Sequence, residues 1–384
     1  MATYNFDTTL ARSIVSRTMS IIDCNVNVMD ARGIIIGSGE PERIGDIHEG
    51  ALLALTQERV VTIDKASTHS LRSVKPGINL PLRMNNHIVG AIGLTGEPAR
   101  LAQFGELVRM TAEMMLEQAW LSQLLVQQSR LREELVLNLI RHQTGPDSLQ
   151  EWAQRLGINL AQPRVAMIVE IDSGQLGIHT AMAELQRLQT LLTETGKDDL
   201  LAIVSLTQMV VLREVSVQAG DWEPESHKRA MEQLYQHLRQ NCPLKVRFAL
   251  GNYFPGEGSE ARSYCTAQTT MKVGKQRMPE EHCYYWQDIK LPVLLDGLRG
   301  GWQAAELLRP IQRLRSLDSN GVLLKTLHAW FRHNQQPTPT AKALFIHKNT
   351  LDYRLHRIAQ LTDLNLANYD DRFLLYVAVQ LDEG

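Results

Sequence analysis

The chain has 384 residues, 44% hydrophobic and 21% charged, with 40 Lys plus Arg against 42 Asp plus Glu for a formal charge of −2. That length predicts two or three cores rather than one, and the balance excludes long disordered stretches. It also excludes a general polyanion binder, so any nucleic-acid site must be a local basic patch. The four cysteines, Cys24, Cys242, Cys265 and Cys283, form no C-x-x-C pair and stand beside no histidine at zinc-finger spacing. They read as small buried hydrophobes of a reducing compartment, and no metal or cofactor is expected. No basic stretch followed by an apolar run opens the chain, and the most apolar stretch, 200–212, is too short for a bilayer. A cytoplasmic protein without a membrane partner is expected.

The first expected domain, 1–141, opens on an amphipathic helix in which Leu10, Ile14, Ile21 and Ile22 share a face. Asn25-Val-Asn-Val-Met-Asp30 alternates like a strand, Ala31-Arg-Gly33 is a turn, and Ile34-Ile-Ile36 is a second strand. Gly77-Ile-Asn-Leu-Pro-Leu82 and Ile88-Val-Gly-Ala-Ile-Gly-Leu94 are two more, with Met84-Asn-Asn-His87 as the turn between them. A helix, a few antiparallel strands and a closing helix describe a small α+β sensor of the PAS type. The closing helix, 101–140, contains no proline, and its only glycine is Gly105. A seven-residue repeat places Leu107, Met110, Met114, Leu121, Leu124, Leu131 and Leu135 at core positions and Glu117, Gln128 and Asn138 at the remaining ones. Two readings stay open: an amphipathic helix packed on its own domain, and a signalling helix that dimerises.

Thr144-Gly-Pro-Asp147 breaks that helix, and the second expected domain spans 148–290. Strands at 164–171, 201–205, 209–212 and 245–250 and helices at 181–192, 227–239 and 259–277 give the order β-α-β-β-α-β of a ferredoxin-like split unit, followed by a further helix. The third expected domain, 291–384, is almost entirely helical. Its densest signal lies at 338–361, where a short helix from Thr340 to Leu344 and a tight connection, Phe345-Ile-His347, lead into a longer helix from Asn349 to Thr362. Leu351, Leu355, Ile358 and Leu361 form the apolar face of that helix, and Thr350, Tyr353, Arg354 and Arg357 the opposite one, with Lys348 and Asn349 at its N-terminal tip. Lys342, Lys348, Arg354 and Arg357 against Asp352 give this segment a charge of +3. A recognition helix enters the major groove N-terminus first, Asn and Arg pair bidentately with adenine and guanine, and Thr, Tyr and Lys hold phosphates. A solvated helical face fits the same residues.

Phe345-Ile-His-Lys-Asn-Thr-Leu-Asp-Tyr-Arg-Leu-His-Arg-Ile358 closely resembles the signature of the C-terminal helix-turn-helix shared by purine-catabolism and sugar-diacid regulators, and Asp370-Asp-Arg-Phe-Leu-Leu-Tyr-Val-Ala378 resembles that family's terminal helix. The resemblance implies a supporting helix at 323–334 with Trp330 and Phe331 in the core. Arg43-Ile-Gly-Asp-Ile-His-Glu-Gly-Ala51 and Pro76-Gly-Ile-Asn-Leu-Pro-Leu82 resemble the sugar-diacid recognition domain, and the order of the three blocks matches the family over essentially the whole chain. The middle block resembles the family's degenerate GGDEF-like domain. It has Leu206-Thr-Gln-Met209 where an active cyclase needs glycines and carboxylates, and only Glu170 and Asp172 as strand-end acids.

The implied protein is an effector-responsive transcription activator that takes glucarate, galactarate, glycerate or a related hydroxy acid and controls genes for their uptake and breakdown. It would work as a homodimer on double-stranded DNA, with RNA polymerase as a further partner. For such a ligand Arg43 meets a carboxylate, His48 donates a hydrogen bond and Asn79 serves hydroxyls. Gly45, Gly77 and Gly93 admit close backbone approach, Ile44 and Pro81 lie beside them, and Asp46 caps a helix whose N-terminus favours anions. On the residues alone, Arg43 as a surface charge and His48 as a capping residue fit equally. The competing class is an enzyme that turns over a nucleotide or hydroxy acid, but no P-loop, G-x-G-x-x-G or G-x-S-x-G pattern supports it.

Overall fold

The computed structural model describes residues 6–64, 75–142, 145–172, 177–195, 198–218, 221–241 and 244–382. The chain divides into two compact units, Met1–Ser129 and Arg130–Gly384.

In the first unit, α1 (Thr8–Met19) is capped by the Asp7 carboxylate, which accepts from Thr9 N. Ile14 is buried, while Ile21 lies beyond the helix and is exposed, so the expected shared face ends early. Strands β1 (Val26–Asp30) and β2 (Ile35–Ser38), helix α2 (Glu49–Gln57) and strands β3 (Val61–Ile63), β4 (Gly77–Met84) and β5 (His87–Thr95) follow. The sheet runs β2-β1-β5-β4-β3 and is antiparallel throughout, the strand order of a PAS-type sensor. Asn85 and Asn86, both at positive φ, make the tight β4–β5 turn that the right-handed twist favours. Alternation then sorts the sheet into two faces. Val26, Val28, Ile78, Leu80, Leu82, Ile92 and Leu94 pack with α1 and the first part of α3 (Pro98–Arg141). Met29, Ile35 and Ala91 pack under Ala51 of α2.

Helix α3 buries Leu101, Val108, Ala112 and Leu116, and a Cβ on Gly105 would stand 2.5 Å from Ile78 Cδ1. That packed face is not the expected heptad. Leu107, Met110, Met114, Leu121, Leu124 and Leu131 are all exposed, and of the seven core positions only Leu135 is buried, with Val136, Leu139 and Ile140 in the second unit's core.

The second unit continues with α4 (Pro146–Arg155), β6 (Arg164–Asp172), α5 (Ile178–Thr195), β7 (Leu200–Ile203) and β8 (Gln208–Glu214). After them come the two-stranded ribbon β9 (Val217–Gln218) and β10 (Asp221–Trp222), then α6 (Pro224–Asn241), β11 (Lys245–Leu250), α7 (Ser259–Arg277) and β12 (Cys283–Tyr285). The antiparallel order β11-β6-β8-β7 is the expected split unit, and β12 adds a parallel edge strand that sequence patterning did not suggest. Strand β6 is buried on both faces, which explains its unbroken apolar run: Ala166 and Ile168 meet α4 and α7, and Val165, Met167 and Val169 meet α5 and α6. Cys24 and Cys283 are half-buried, and burial pushes the Cys283 thiol up to about 12. Cys265 is exposed on α7, contrary to expectation, and Cys242 lies outside the described residues, as does Thr144.

The remaining helices are α8 (Lys290–Asp296), α9 (Trp302–Leu317), α10 (Val322–Arg332), α11 (Pro337–Ala343), α12 (Lys348–Thr362) and α13 (Tyr369–Asp382). Their core joins Ile311, Leu314, Leu327, Phe331, Leu351, Leu355, Ile358, Leu375 and Ala378. Phe331 is in it as expected, whereas Trp330 packs at its margin and its indole N–H has no partner. No helix is long and apolar enough to cross a membrane among the described residues.

Candidate effector and nucleic-acid sites

In the first unit, residues 44–48 run along the edge of β2. Gly45 N donates to Ile35 O, Ile35 N to Asp46 O, and His48 N to Gly33 O. Gly45 has φ +100° with open space where a side chain would stand, so glycine is required there by the backbone rather than by crowding. This edge delivers Arg43 and His48 to the start of α2. The cap is His48, not Asp46: its Nδ1 accepts from Ala51 N at 3.2 Å, while Asp46 is exposed. His48 is only 6% exposed. Burial, and next the Arg43 guanidinium, hold its pKa down to about 4, so at neutral pH the ring is neutral and its proton sits on Nε2, the nitrogen not used as the cap. Arg43 is mostly covered and stands 3.9 Å from Glu40, whose other oxygen binds Lys75 at 2.6 Å.

Strand register brings the remaining residues to one place. Asn27 of β1 pairs with Gly93 of β5, and Gly93 pairs with Asn79 of β4, so the three form a row on the α2 face of the sheet. Ser38 of β2 extends that row, donating to Asn27 Oδ1 at 2.7 Å. Gly50, in the first turn of α2, lies above: a Cβ there would meet Asn79 Nδ2 at 2.8 Å and His48 Cε1 at 3.2 Å. His48, Asn79, Gly50, Gly93 and Asn27 therefore converge beneath the N-terminus of α2. Of the other expected residues, Pro81 lies buried on the same face two positions along β4. Ile44 is exposed at the β2 edge, and Gly77 answers to sheet pairing, since a Cβ there would stand 2.1 Å from Leu94 O. Sequence reasoning missed Asn27, Ser38 and Gly50.

In the helical part of the second unit, α11, a four-residue turn and α12 form the helix-turn-helix. Ile346 N donates to Ala341 O across the turn, and Phe345 sits in the left-handed region, 96% exposed. His347 caps α12 through Nδ1, which accepts from Asn349 N. Leu351, Leu355 and Ile358 point into the core, leaving Lys348, Asn349, Thr350, Tyr353 and Arg357 exposed on the outer face. Arg354 departs from the expected arrangement. It is half-buried at the seam with α10, and its Nη1 donates to the hydroxyl of buried Thr326 at 3.3 Å.

The strand-end acids of the middle sheet are already engaged. Glu170 accepts from Lys275 Nζ at 2.8 and 3.0 Å and from Gln208 Nε2 at 2.6 Å, and Asp172 lies 3.7 Å from Arg247. The β7–β8 turn is Val204–Thr207, and Gln208 and Met209 belong to β8. No cluster of three His, Cys, Asp or Glu side chains suited to a metal occurs among the described residues.

Three family models match in succession: sugar diacid recognition over 6–139, the GGDEF-like domain over 141–273, and the PucR C-terminal helix-turn-helix domain over 323–381. The chain is 62% identical over 383 residues to the carbohydrate diacid regulator of Escherichia coli K12, covering 100% of both chains. It is 34% identical to an uncharacterized protein of Haemophilus influenzae, over 97% of this chain and 98% of that one. The DNA-binding transcriptional activator AdeR of Bacillus subtilis is 25% identical, over 63% of this chain and 57% of its own. A solved regulator of polyketide synthase expression from Bifidobacterium adolescentis aligns at 18% identity with a TM-score of 0.28, over 65% of this chain and 91% of that one.

Proposed function

The chain belongs to the carbohydrate diacid regulator family and is a DNA-binding transcription regulator rather than an enzyme; from that premise we propose that it is an activator switched by a sugar diacid such as glucarate or galactarate, or by glycerate. The observation that carries the reading is its end-to-end likeness to the regulator of Escherichia coli. In this reading the protein works in the cytoplasm as a homodimer and controls genes for uptake and breakdown of its effector. The proposed division of labour is 1–141 for sensing, 148–290 for scaffolding and 291–384 for DNA.

Arg43 takes one carboxylate of the effector in a charge-assisted bond, and neutral His48 donates from Nε2. Asn79 and Gly93 face the hydroxylated chain beneath the N-terminus of α2, with Ile44, Gly45, Gly77 and Pro81 shaping the surroundings. Lys348 and Thr350 hold phosphates, while Asn349, Tyr353 and Arg357 are presented to base edges and sugar, with Arg354 reaching the duplex from the seam. The exposed stripe from Leu107 to Leu131 on α3 supplies the dimer contact. Effector binding shifts the regulator only by as much as it prefers one state of that dimer, and the second state engages RNA polymerase.

The test is calorimetric titration of the full-length protein with glucarate, galactarate, glycerate and adipate, followed by selection of bound DNA fragments with and without the tightest of them. Saturable binding of a hydroxylated acid together with an effector-dependent operator is expected. Binding of none of the four acids would overturn the effector class and leave the DNA-binding assignment in place.

A further inference from the structure

Buried polar groups in folded proteins have hydrogen-bond partners, and each exception needs a cause. On the α2 face of the first sheet the exceptions cluster. Asn27, 1% exposed, has an unpartnered Nδ2, and Asn79, 3% exposed, has an unpartnered Oδ1. Leaving such groups bare carries a desolvation cost that a purely structural sheet avoids by placing valines there.

We infer that Asn27 and Asn79, facing each other across Gly93, are the residues that read the hydroxyl groups of the effector; this rests on the sugar-diacid reading above. Four observations support it. First, Asn27 is oriented: Ser38 Oγ accepts from Glu40 N and donates to Asn27 Oδ1, so the amide turns its Nδ2 away as the remaining donor. Second, the two residues are complementary, one offering an N–H and the other a carbonyl oxygen. A hydroxyl both accepts and donates, so successive hydroxyls along one chain satisfy both amides, whereas a carboxylate has no proton to give Asn79 Oδ1. Third, the spacing suits one extended carbon chain. Asn27 and Asn79 are two strands apart, about 10 Å between backbones, and the residue between them has no side chain. A Cβ on Gly93 would stand 2.9 Å from Asn79 Oδ1 and occupy that gap. Fourth, the charged and polar groups lie at one end of the row: His48 Cε1 and Asn79 Nδ2 converge on Gly50, and His48 feels the charge of Arg43. The carboxylate is thereby anchored at the start of α2 while the hydroxyls pass over the amide row.

The experiment uses the full-length protein and two six-carbon diacids, glucarate with hydroxyls and adipate without. The parent is expected to prefer glucarate. Asn27→Ala and Asn79→Ala are each expected to weaken glucarate about tenfold, shrinking its preference over adipate by the same factor. Gly93→Ala, which fills the gap, is expected to weaken glucarate at least as much. Asn79→Val supplies the structural control: an amide kept for folding would lower the thermal midpoint when removed, whereas an amide kept for the ligand leaves it unchanged or raised. Equal parent affinity for glucarate and adipate would overturn the inference, as would glucarate affinity within twofold of the parent in both Asn variants while Arg43→Ala abolishes it. Those outcomes leave the effector class intact. Failure of the parent to bind either diacid, or glucarate's relatives, overturns the effector class itself.

Discussion

Acidification is expected to loosen the start of α2 through His48, and the size of the effect follows from its surroundings. The side chain is buried and caps the helix with Nδ1, and burial together with Arg43 holds its pKa at about 4 against 6.5 in the unfolded chain. Below pH 6.5 the opened chain binds a proton that the folded one does not, so the folded state loses stability as pH falls and the loss levels off near pH 4. Between pH 7.5 and 5.0 this linkage amounts to about 2 kcal/mol, roughly a thirtyfold rise in opening. Hydrogen exchange of peptides covering 49–57, corrected for intrinsic rates, reads that opening directly. The comparison is with His48→Asn, which retains a capping side chain without a titrating ring. Protection should fall about thirtyfold more in the parent than in the variant over this interval. Arg43→Gln removes the second cause and should raise the His48 pKa and shrink the difference. Parallel losses in parent and His48→Asn would refute the neutral, buried cap.

Three further outcomes are expected. Leu351→Ala, at a fully buried position of the helix-turn-helix core, should cost about 3 kcal/mol and abolish operator binding while leaving glucarate titration unchanged. Lys275→Gln leaves the buried Glu170 carboxylate without its cation and should cost about 2 kcal/mol by urea unfolding, most of it recovered by the double change with Glu170→Gln. On α12, Lys348→Ala should weaken all DNA sequences alike and lower the salt slope by about 1, whereas Arg357→Ala should relax base preference at one operator position; equal effects of the two on preference would refute the division between phosphate and base contacts.

Much of the fold was legible because its periodicities are local. The run from Phe345 to Ile358 carries its own helical spacing, and β6 announces double burial by its unbroken apolar run from Val165 to Val169. What failed depended on partners that lie far away in sequence. Arg354 follows Thr350 at the spacing of the outer face, but α10 approaches that side and Thr326 captures it, which no pattern within α12 reveals. The seven-residue repeat in α3 is real, yet the helix packs its own sheet with a different set, Leu101, Val108, Ala112 and Leu116, because apolar residues occur on more than one side. Asn27 was invisible as a site residue for the same reason. Alternating Asn and Val in β1 reads as a half-solvated strand, and only the placement of α2, with small Gly50 and Ala51 against the sheet, turns the asparagine side into an interior.

That placement also explains why polar residues persist there. A sheet covered by a helix on one face and two helices on the other would be most stable with apolar residues throughout. The first unit meets this rule on the α1 and α3 face, where Val26, Val28, Ile78, Leu80, Leu82, Ile92 and Leu94 leave no polar side chain in the row. The α2 face instead combines Asn27 and Asn79 with a neutral histidine and a mostly covered arginine. Under the proposed effector reading, hydroxyls and a carboxylate that complete these hydrogen bonds would restore the stability lost on that face, which would make effector binding and ordering of the α2 region one equilibrium. Coupling of this kind favours the liganded arrangement only through groups that are unsatisfied without it, and Asn27 Nδ2 and Asn79 Oδ1 are such groups.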